Sequence, residues 1–118
     1  MAKYRELIVW QKSMDLVVNV YKTIDSLPNI ERFALSDQIR RCSVSIPSNI
    51  AEGAGRNHTK EFIQFLSISR GSLYELQTQL EIAQRVGYMS DIVELNKRTL
   101  EIEKMLNALI SSMKRQSK

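Results

Sequence analysis

The stretch EFIQFLSISRGSLYELQTQLEIAQ, Glu61–Gln84, decides the fold class of this chain. Its apolar and small residues recur at alternating steps of four and three, the spacing of one face of an α-helix. Thr59 can cap its start and Gly87 can close its end, so the sequence predicts a helix over about 60–86. Gly71 lies inside it, where we expect a close backbone approach. The predicted buried stripe is Phe62, Leu66, Ser69, Leu73, Leu76, Leu80 and Ala83.

Three further segments carry helical spacing, and none alternates with the period of two that a half-buried strand requires. The first helix is predicted to stop before Pro28, and Asp91 with Glu94 has capping-box spacing at the start of the last. Because the connections are short, residues 1–118 are predicted to form a single all-α domain, an antiparallel up-and-down four-helix bundle. The predicted helices cover about 7–26, 36–53, 60–86 and 91–115. The first segment offers two rows for the core, Trp10, Val17 and Ile24 or Ser13, Val20 and Leu27. The predicted row of the last segment is Ile92, Leu95, Thr99, Ile102, Leu106, Leu109 and Met113.

The segment RRCSVSIPSNIAEGAGR, Arg40–Arg56, places a proline within an apolar helical pattern. The pattern continues through Pro47, which favours one helix bent at Pro47. The alternative starts a new helix at Pro47 with Ile46 as its cap, and isoleucine is a poor cap. The residues that keep the spacing are Leu35, Ile39, Cys42, Ile46 and Ile50.

Composition excludes several classes of protein. No apolar run approaches the roughly 18 residues of a membrane span, and the N-terminal residues do not resemble a secretory signal. Cys42 is the single cysteine, so neither an internal disulfide nor a thiolate cluster is possible. We therefore expect a cytoplasmic protein with no membrane contact.

The sequence offers no catalytic or metal-binding constellation. A nucleophilic serine needs a neighbouring base, but His58 is the single histidine and no Gly-x-Ser-x-Gly elbow is present. A di-iron bundle needs paired Glu-x-x-His motifs, which one histidine cannot supply. We predict no enzymatic activity, no catalytic residues, no metal, no cofactor and no evident small-molecule substrate.

Basic residues provide the candidate binding surface. The net charge is +4 and the pI about 9.4, which permits contact with nucleic acid without requiring it. Guanidinium groups match phosphates well, but ion pairs with Asp37 or Glu52, or a solvated helix end, explain the same residues. The candidate phosphate contacts are Arg40, Arg41, Arg56, Lys114, Arg115 and Lys118.

A second apolar face is predicted on the third helix. Phe65, Ile68 and Ser72 lie away from the core stripe, and a helix with two such faces usually meets two partners. These residues are the candidate interface of a homo-oligomer. The alternative is one wide face that packs into a single core.

Three segments resemble consecutive signatures of one family. They are LIVWQKSMDLVVNVYK, QIRRCSVSIPSNIAEGAGR and EFIQFLSISRGSLYELQTQLEIAQRVGY, and they lie within about residues 4–88. The family is that of the four-helix-bundle proteins first found as open reading frames in intervening sequences of large-subunit ribosomal RNA genes. Cys42 and Ser43 stand where relatives often have alanine.

The resemblance implies a bundle that assembles into a ring-like homopentamer, and a link to RNA. A related branch comprises the accessory variability determinants of diversity-generating retroelements, which bind a reverse transcriptase and its template RNA. Our leading hypothesis is a non-enzymatic oligomer that contacts RNA or a nucleic-acid enzyme through basic surface. The alternatives are a retroelement accessory protein and a protein–protein adaptor that binds no nucleic acid.

Overall fold

Four α-helices form most of the protein, and short 3-10 turns flank α1 and precede α2. The computed structural model describes residues 3–117, and this range contains no β-strand. The prediction of an all-helical chain with four helices is therefore confirmed. The helices are α1 (Ile8–Thr23), α2 (Leu35–Ala54), α3 (Thr59–Arg85) and α4 (Val93–Gln116), and the turns are Tyr4–Glu6, Ile24–Ser26 and Asn29–Glu31.

Each helix packs against two others. The first helix contacts α2 and α4, and α3 contacts the same two helices from the other side. The particle measures 47 × 22 × 20 Å, so it is elongated. At the start of α4 the carboxylate of Asp91 accepts a hydrogen bond of 2.9 Å from the backbone N–H of Val93, so it satisfies one of the free N–H groups there.

The core follows the predicted stripes on α3 and departs from them on α1 and α4. All seven predicted residues of α3 are buried. On α4, Ile110 is buried in place of the predicted Leu109, which is half-buried. On the first segment the predicted row of Ser13, Val20 and Leu27 is buried. In the other predicted row Ile24 is buried, whereas Trp10 and Val17 lie at the edge of the core.

The second and third helices approach closely at Gly53. A Cβ atom added there would lie 2.6 Å from the Cβ of Phe65 and 3.0 Å from Cδ1 of Phe62. Such separations are far below the ordinary carbon–carbon contact of about 3.5–4.0 Å, so a glycine is required. The close approach predicted at Gly71 is wrong, because nothing lies within 4 Å of a Cβ built at that residue.

Pro47 lies inside α2, which continues through it, and the residue is buried. Polar side chains bond the backbone around it. Asn49 Nδ2 donates to the carbonyl of Ser45 at 2.8 Å, and Ser69 Oγ of α3 donates to the carbonyl of Ile46 at 2.9 Å. The bend at Pro47 stays a prediction.

Candidate nucleic-acid interface

The candidate phosphate contacts do not form one cluster. Arg40 and Arg41 lie in the first third of α2, and Arg56 follows the end of that helix. At a rise of roughly 1.5 Å per residue, Arg40 and the helix end at Ala54 are about 21 Å apart along the axis. Lys114 and Arg115 belong to the last turn of α4. Lys118 lies outside the described residues.

Two of these cations form ion pairs within their own segment. Arg41 Nε lies 2.9 Å from Asp37 Oδ2, and Arg56 Nη2 lies 3.3 Å from Glu52 Oε1. Exposed pairs spaced by four residues stabilise a helix by only about 0.3–0.5 kcal/mol, so both guanidinium groups remain available to a ligand. Their charge is nevertheless partly compensated, as in the ion-pairing alternative.

Arg40 has a different environment. It is half-buried, and it forms no ion pair with a carboxylate between residues 3 and 117. Together with Arg32 and Ser36 it lines a pocket of about 300 Å³ between the end of α1 and the start of α2. Sequence reasoning selected Arg40 but missed this pocket, because a turn brings Arg32 beside Arg40 from eight positions earlier in the chain.

The three predicted interface residues have unequal exposure. Phe65 is half-buried, because Gly53 allows α2 to approach it and the Arg56 guanidinium lies 5.2 Å from the centre of its ring. The hydroxyl of Ser72 lies 2.8 Å from that of Ser45 across the α2–α3 contact. Ile68 is 47% exposed, so it is the member of the set with the most free apolar surface.

A second exposed apolar surface, formed by α1 and α2, was not predicted. Val18 is 49% exposed. An open groove between α1 and α2 runs past Val17 to the buried Pro47. The sequence feature that could have predicted this surface is the adjacent pair Val17 and Val18. The core face of a helix cannot bury two adjacent positions fully, so one of these valines had to be exposed. The exposed apolar residues on this side are Met14, Val18, Tyr21 and Val44.

Cys42 belongs to a polar contact between α2 and α3. Its Sγ lies 3.3 Å from Glu75 Oε2. Burial, followed by the hydrogen bond to this carboxylate, raises the pKa of the Cys42 thiol. A raised pKa lowers the thiolate fraction, so this cysteine is a poor nucleophile.

The described chain has neither a metal-binding cluster nor a membrane-spanning helix. Residues 3–117 contain no group of three or more His, Cys, Asp or Glu side chains arranged to hold a metal ion. No helix in the same range has the length and hydropathy needed to cross a membrane.

Comparison with known proteins identifies the family. The family model for the 23S rRNA-intervening sequence protein matches residues 5–108. The chain belongs to this family. The match extends the resemblance beyond residue 88 into α4. No curated protein matches the chain.

A solved structure has the same fold. It is a protein of unknown function from the S23 ribosomal protein family of Bacteroides thetaiotaomicron, determined at 1.70 Å resolution. The two chains share 29% sequence identity with a TM-score of 0.80, over 87% of this chain and 98% of the other. The helical arrangement is therefore shared by two chains whose sequences have diverged considerably.

Proposed function

We propose that this chain is a non-enzymatic, homo-oligomeric four-helix bundle that contacts RNA through its basic surface. Its membership of the 23S rRNA-intervening sequence protein family carries this proposal, because the family name links it to ribosomal RNA genes. The net charge of +4 provides the attraction to phosphates that such a role needs. A cytoplasmic location agrees with this role. Contact with a reverse transcriptase stays a prediction from the resemblance.

The proposed arrangement is antiparallel and up-and-down, and its support comes from contacts between neighbouring helices. Along α2 and α3, Cys42 contacts Glu75 and Ser45 contacts Ser72, so residue numbers rise on one helix as they fall on the other. The same order holds between α3 and α4. There Arg70 contacts Asn107, whereas Gln77 contacts Glu103 and Thr99.

Assembly into a ring would cover apolar surface that the single chain leaves exposed. The side chains of Val18 on α1 and Ile68 on α3 are about half exposed, and both lie on helices that already have a complete core face. The pentameric ring is implied by the family resemblance. Five copies of a +4 chain would carry about +20, which concentrates a weak basic surface into a strong field.

Oligomeric state tests the assembly. Val18→Asp and Ile68→Asp each place a charge on one of the two exposed apolar faces. We expect the wild-type mass from light scattering to be a multiple of 13.6 kDa, and the variant at the true interface to lower it. A monomeric wild-type protein would contradict the ring. Retention of the assembly in both variants would exclude these two faces as its interface.

A salt series tests the RNA contact. For binding of the full chain to a structured RNA, the logarithm of the association constant should fall linearly with the logarithm of salt concentration. The reason is that protein cations that bind phosphates release the counterions of the RNA. Replacing Lys114 and Arg115 with glutamine should reduce the magnitude of the salt slope by about one for each of the two side chains that binds a phosphate. Lys97→Gln removes an exposed cation outside the proposed set and serves as the control. A slope near zero, or no binding at low salt, would exclude the RNA role.

The adaptor alternative has one specific observation in its favour. Ile30 and Phe33, in the connection between α1 and α2, are 82% and 86% exposed. Apolar residues at this level of exposure are available to a protein partner. The adaptor would lose its partner after Phe33→Ser and retain it after Arg41→Glu. An electrostatic contact with RNA at Arg41, in contrast, would be weakened by Arg41→Glu.

A further inference from the structure

A concave polar pocket lies where α1 ends and α2 begins. It measures about 300 Å³, and its charged and polar lining comprises Asp25, Asn29, Arg32, Ser36 and Arg40. Two guanidinium groups and one carboxylate give this lining a net positive charge. The other candidate cations that the structure describes, by contrast, lie on open helix surface or at a helix end.

The polar groups that line this pocket lack protein partners. Ser36 is only 3% exposed, yet its hydroxyl forms no hydrogen bond with any residue that the structure describes. Arg32 and Arg40 form no ion pair within the same range. The Ser36 hydroxyl lies at the pocket wall, so it is free to donate to a group that enters the pocket.

Nearby carboxylates are engaged elsewhere. Glu31 Oε2 accepts a hydrogen bond of 3.0 Å from the hydroxyl of Tyr88, and Asp37 forms the ion pair with Arg41. Asp25 is the acidic residue that lines the pocket, and it forms no ion pair among the described residues. Neither arginine forms an ion pair among the described residues, and the one carboxylate in the lining leaves the pocket with a net positive charge.

The start of α2 forms part of the pocket wall. This helix has no side-chain cap, and the backbone N–H of Leu35 reaches only Glu31 Oε1 at 3.5 Å. The N–H groups of the first turn and the helix dipole favour an anion at this end. Ser36, in that first turn, lines the pocket.

We propose that this pocket binds the phosphate monoester of a ribonucleotide. Arg32 and Arg40 supply planar donor pairs for the phosphate oxygens, and the hydroxyl of Ser36 supplies a further donor. Asp25 and Asn29 offer acceptors for sugar hydroxyl groups. A concave site suits a terminal phosphate with three free oxygens better than a phosphodiester within a duplex. The source of the ligand is either a free mononucleotide or the 5′ end of an RNA, and the second source rests on the proposed function.

Phe33 extends the site toward a base. Its ring is 86% exposed, and the guanidinium of Arg32 lies 5.3 Å from its centre. This stacking positions Arg32 at the pocket. The exposed ring also offers a surface on which an unpaired base can stack, as is common in proteins that bind single-stranded RNA.

The test compares two short single-stranded RNAs of identical sequence, one with a 5′-phosphate and one with a 5′-hydroxyl. Fluorescence anisotropy of the 3′-labelled RNAs with the full-length protein should give at least tenfold tighter binding of the phosphorylated RNA. Adenosine monophosphate should compete with it more effectively than inorganic phosphate does.

Arg40→Gln and Arg41→Gln form a matched pair of variants. Both remove one positive charge from neighbouring positions of α2, but Arg41 is paired with Asp37 and does not line the pocket. Arg40→Gln should abolish the preference for the 5′-phosphate, whereas Arg41→Gln should retain it. Ser36→Ala, measured independently, should reduce the preference several-fold. Circular dichroism verifies that each variant is folded.

The outcomes separate this proposal from the proposed function. Equal binding of both RNAs by the wild type, or an equal loss of the 5′-phosphate preference in the Arg40 and Arg41 variants, would overturn the pocket and leave a general RNA contact standing. Binding of adenosine monophosphate that depends on Arg40, without any binding of RNA, would support the pocket with a free nucleotide as its ligand and would exclude the RNA role.

Discussion

Two glycine-to-alanine substitutions, each within a helix, distinguish the effect of helix propensity on stability from the effect of packing. Gly53 faces α3, and a Cβ atom there would meet the Cβ of Phe65 at 2.6 Å. Gly71 is exposed within α3, and a Cβ atom there would meet nothing within 4 Å. Both substitutions remove a glycine from a helix, so both gain the same intrinsic preference of alanine, about 1 kcal/mol.

The packing cost decides whether Gly53→Ala stabilises or destabilises the protein. The Cβ of Phe65 is attached directly to the backbone of α3, so a rotamer change cannot relieve the contact. The two helices would have to separate locally by about 1 Å to restore an ordinary carbon–carbon contact of about 3.5–4.0 Å. Overpacking of this kind costs about 1–3 kcal/mol, and we expect the upper half of that range. The net destabilisation by Gly53→Ala is then about 1–2 kcal/mol, whereas Gly71→Ala stabilises by up to about 1 kcal/mol.

Thermal unfolding followed by circular dichroism measures this difference. The two variants should differ in Tm by on the order of 10 °C, with the wild type between them. The protein concentration must be equal in all samples, because assembly makes Tm concentration-dependent. Equal Tm values for the two variants, or a Gly53→Ala protein more stable than the wild type, would refute the close approach of α2 and α3.

Three further predictions concern single side chains. Burial and Glu75 raise the pKa of the Cys42 thiol, so iodoacetamide at pH 8 should label this thiol more slowly than the thiol of an unstructured cysteine peptide. Glu75→Gln should accelerate the labelling. A labelling rate equal to that of the peptide in both the wild type and the variant would contradict this. The hydrogen bond to Glu31 raises the pKa of Tyr88 above its ordinary value of 10.0, so its contribution to stability is present below that pH and is lost as pH rises through the folded-state pKa. In an absorbance titration Glu31→Gln should move the ionisation of Tyr88 to lower pH, and an unchanged titration curve would contradict this. Pro47→Ala should leave the helix content almost unchanged and alter the oligomeric mass, and an unchanged mass from light scattering would remove any assembly role for the bend.

The sequence predicted the helices well because their buried stripes are long and regular. On α3, steps of four and three identify every buried residue. The pattern fails near the end of α4, where Ile110 replaces Leu109 in the core. An α-helix has 3.6 residues per turn, so a strict seven-residue repeat drifts by about 20° in each heptad, and the buried face shifts by one residue. On α1 two neighbouring apolar rows compete for the core, and only packing decides that Leu16 is buried and Val17 lies at the edge.

The sequence allows ion pairs within a helix to be predicted, but it does not allow the pocket to be predicted. The spacing of four between Asp37 and Arg41 is visible in the sequence, and the two side chains do pair. The juxtaposition of Arg32 with Arg40 depends on how the connection after α1 turns back, and no periodic pattern encodes that path. Likewise, the half-burial of Phe65 depends on the missing side chain of a glycine on another helix.

The hydroxyl groups in the core have a consequence for how the bundle is aligned. Ser13, Ser43 and Thr99 donate to carbonyls of their own helices, so these bonds would survive if one helix moved relative to another. Ser69, in contrast, donates across to the carbonyl of Ile46. Sliding α3 along α2 by one turn, about 5.4 Å, would leave that donor facing apolar side chains. Ser69, together with the Ser45–Ser72 and Cys42–Glu75 contacts, thus selects one longitudinal alignment of α2 and α3 out of several that the apolar stripes alone would allow.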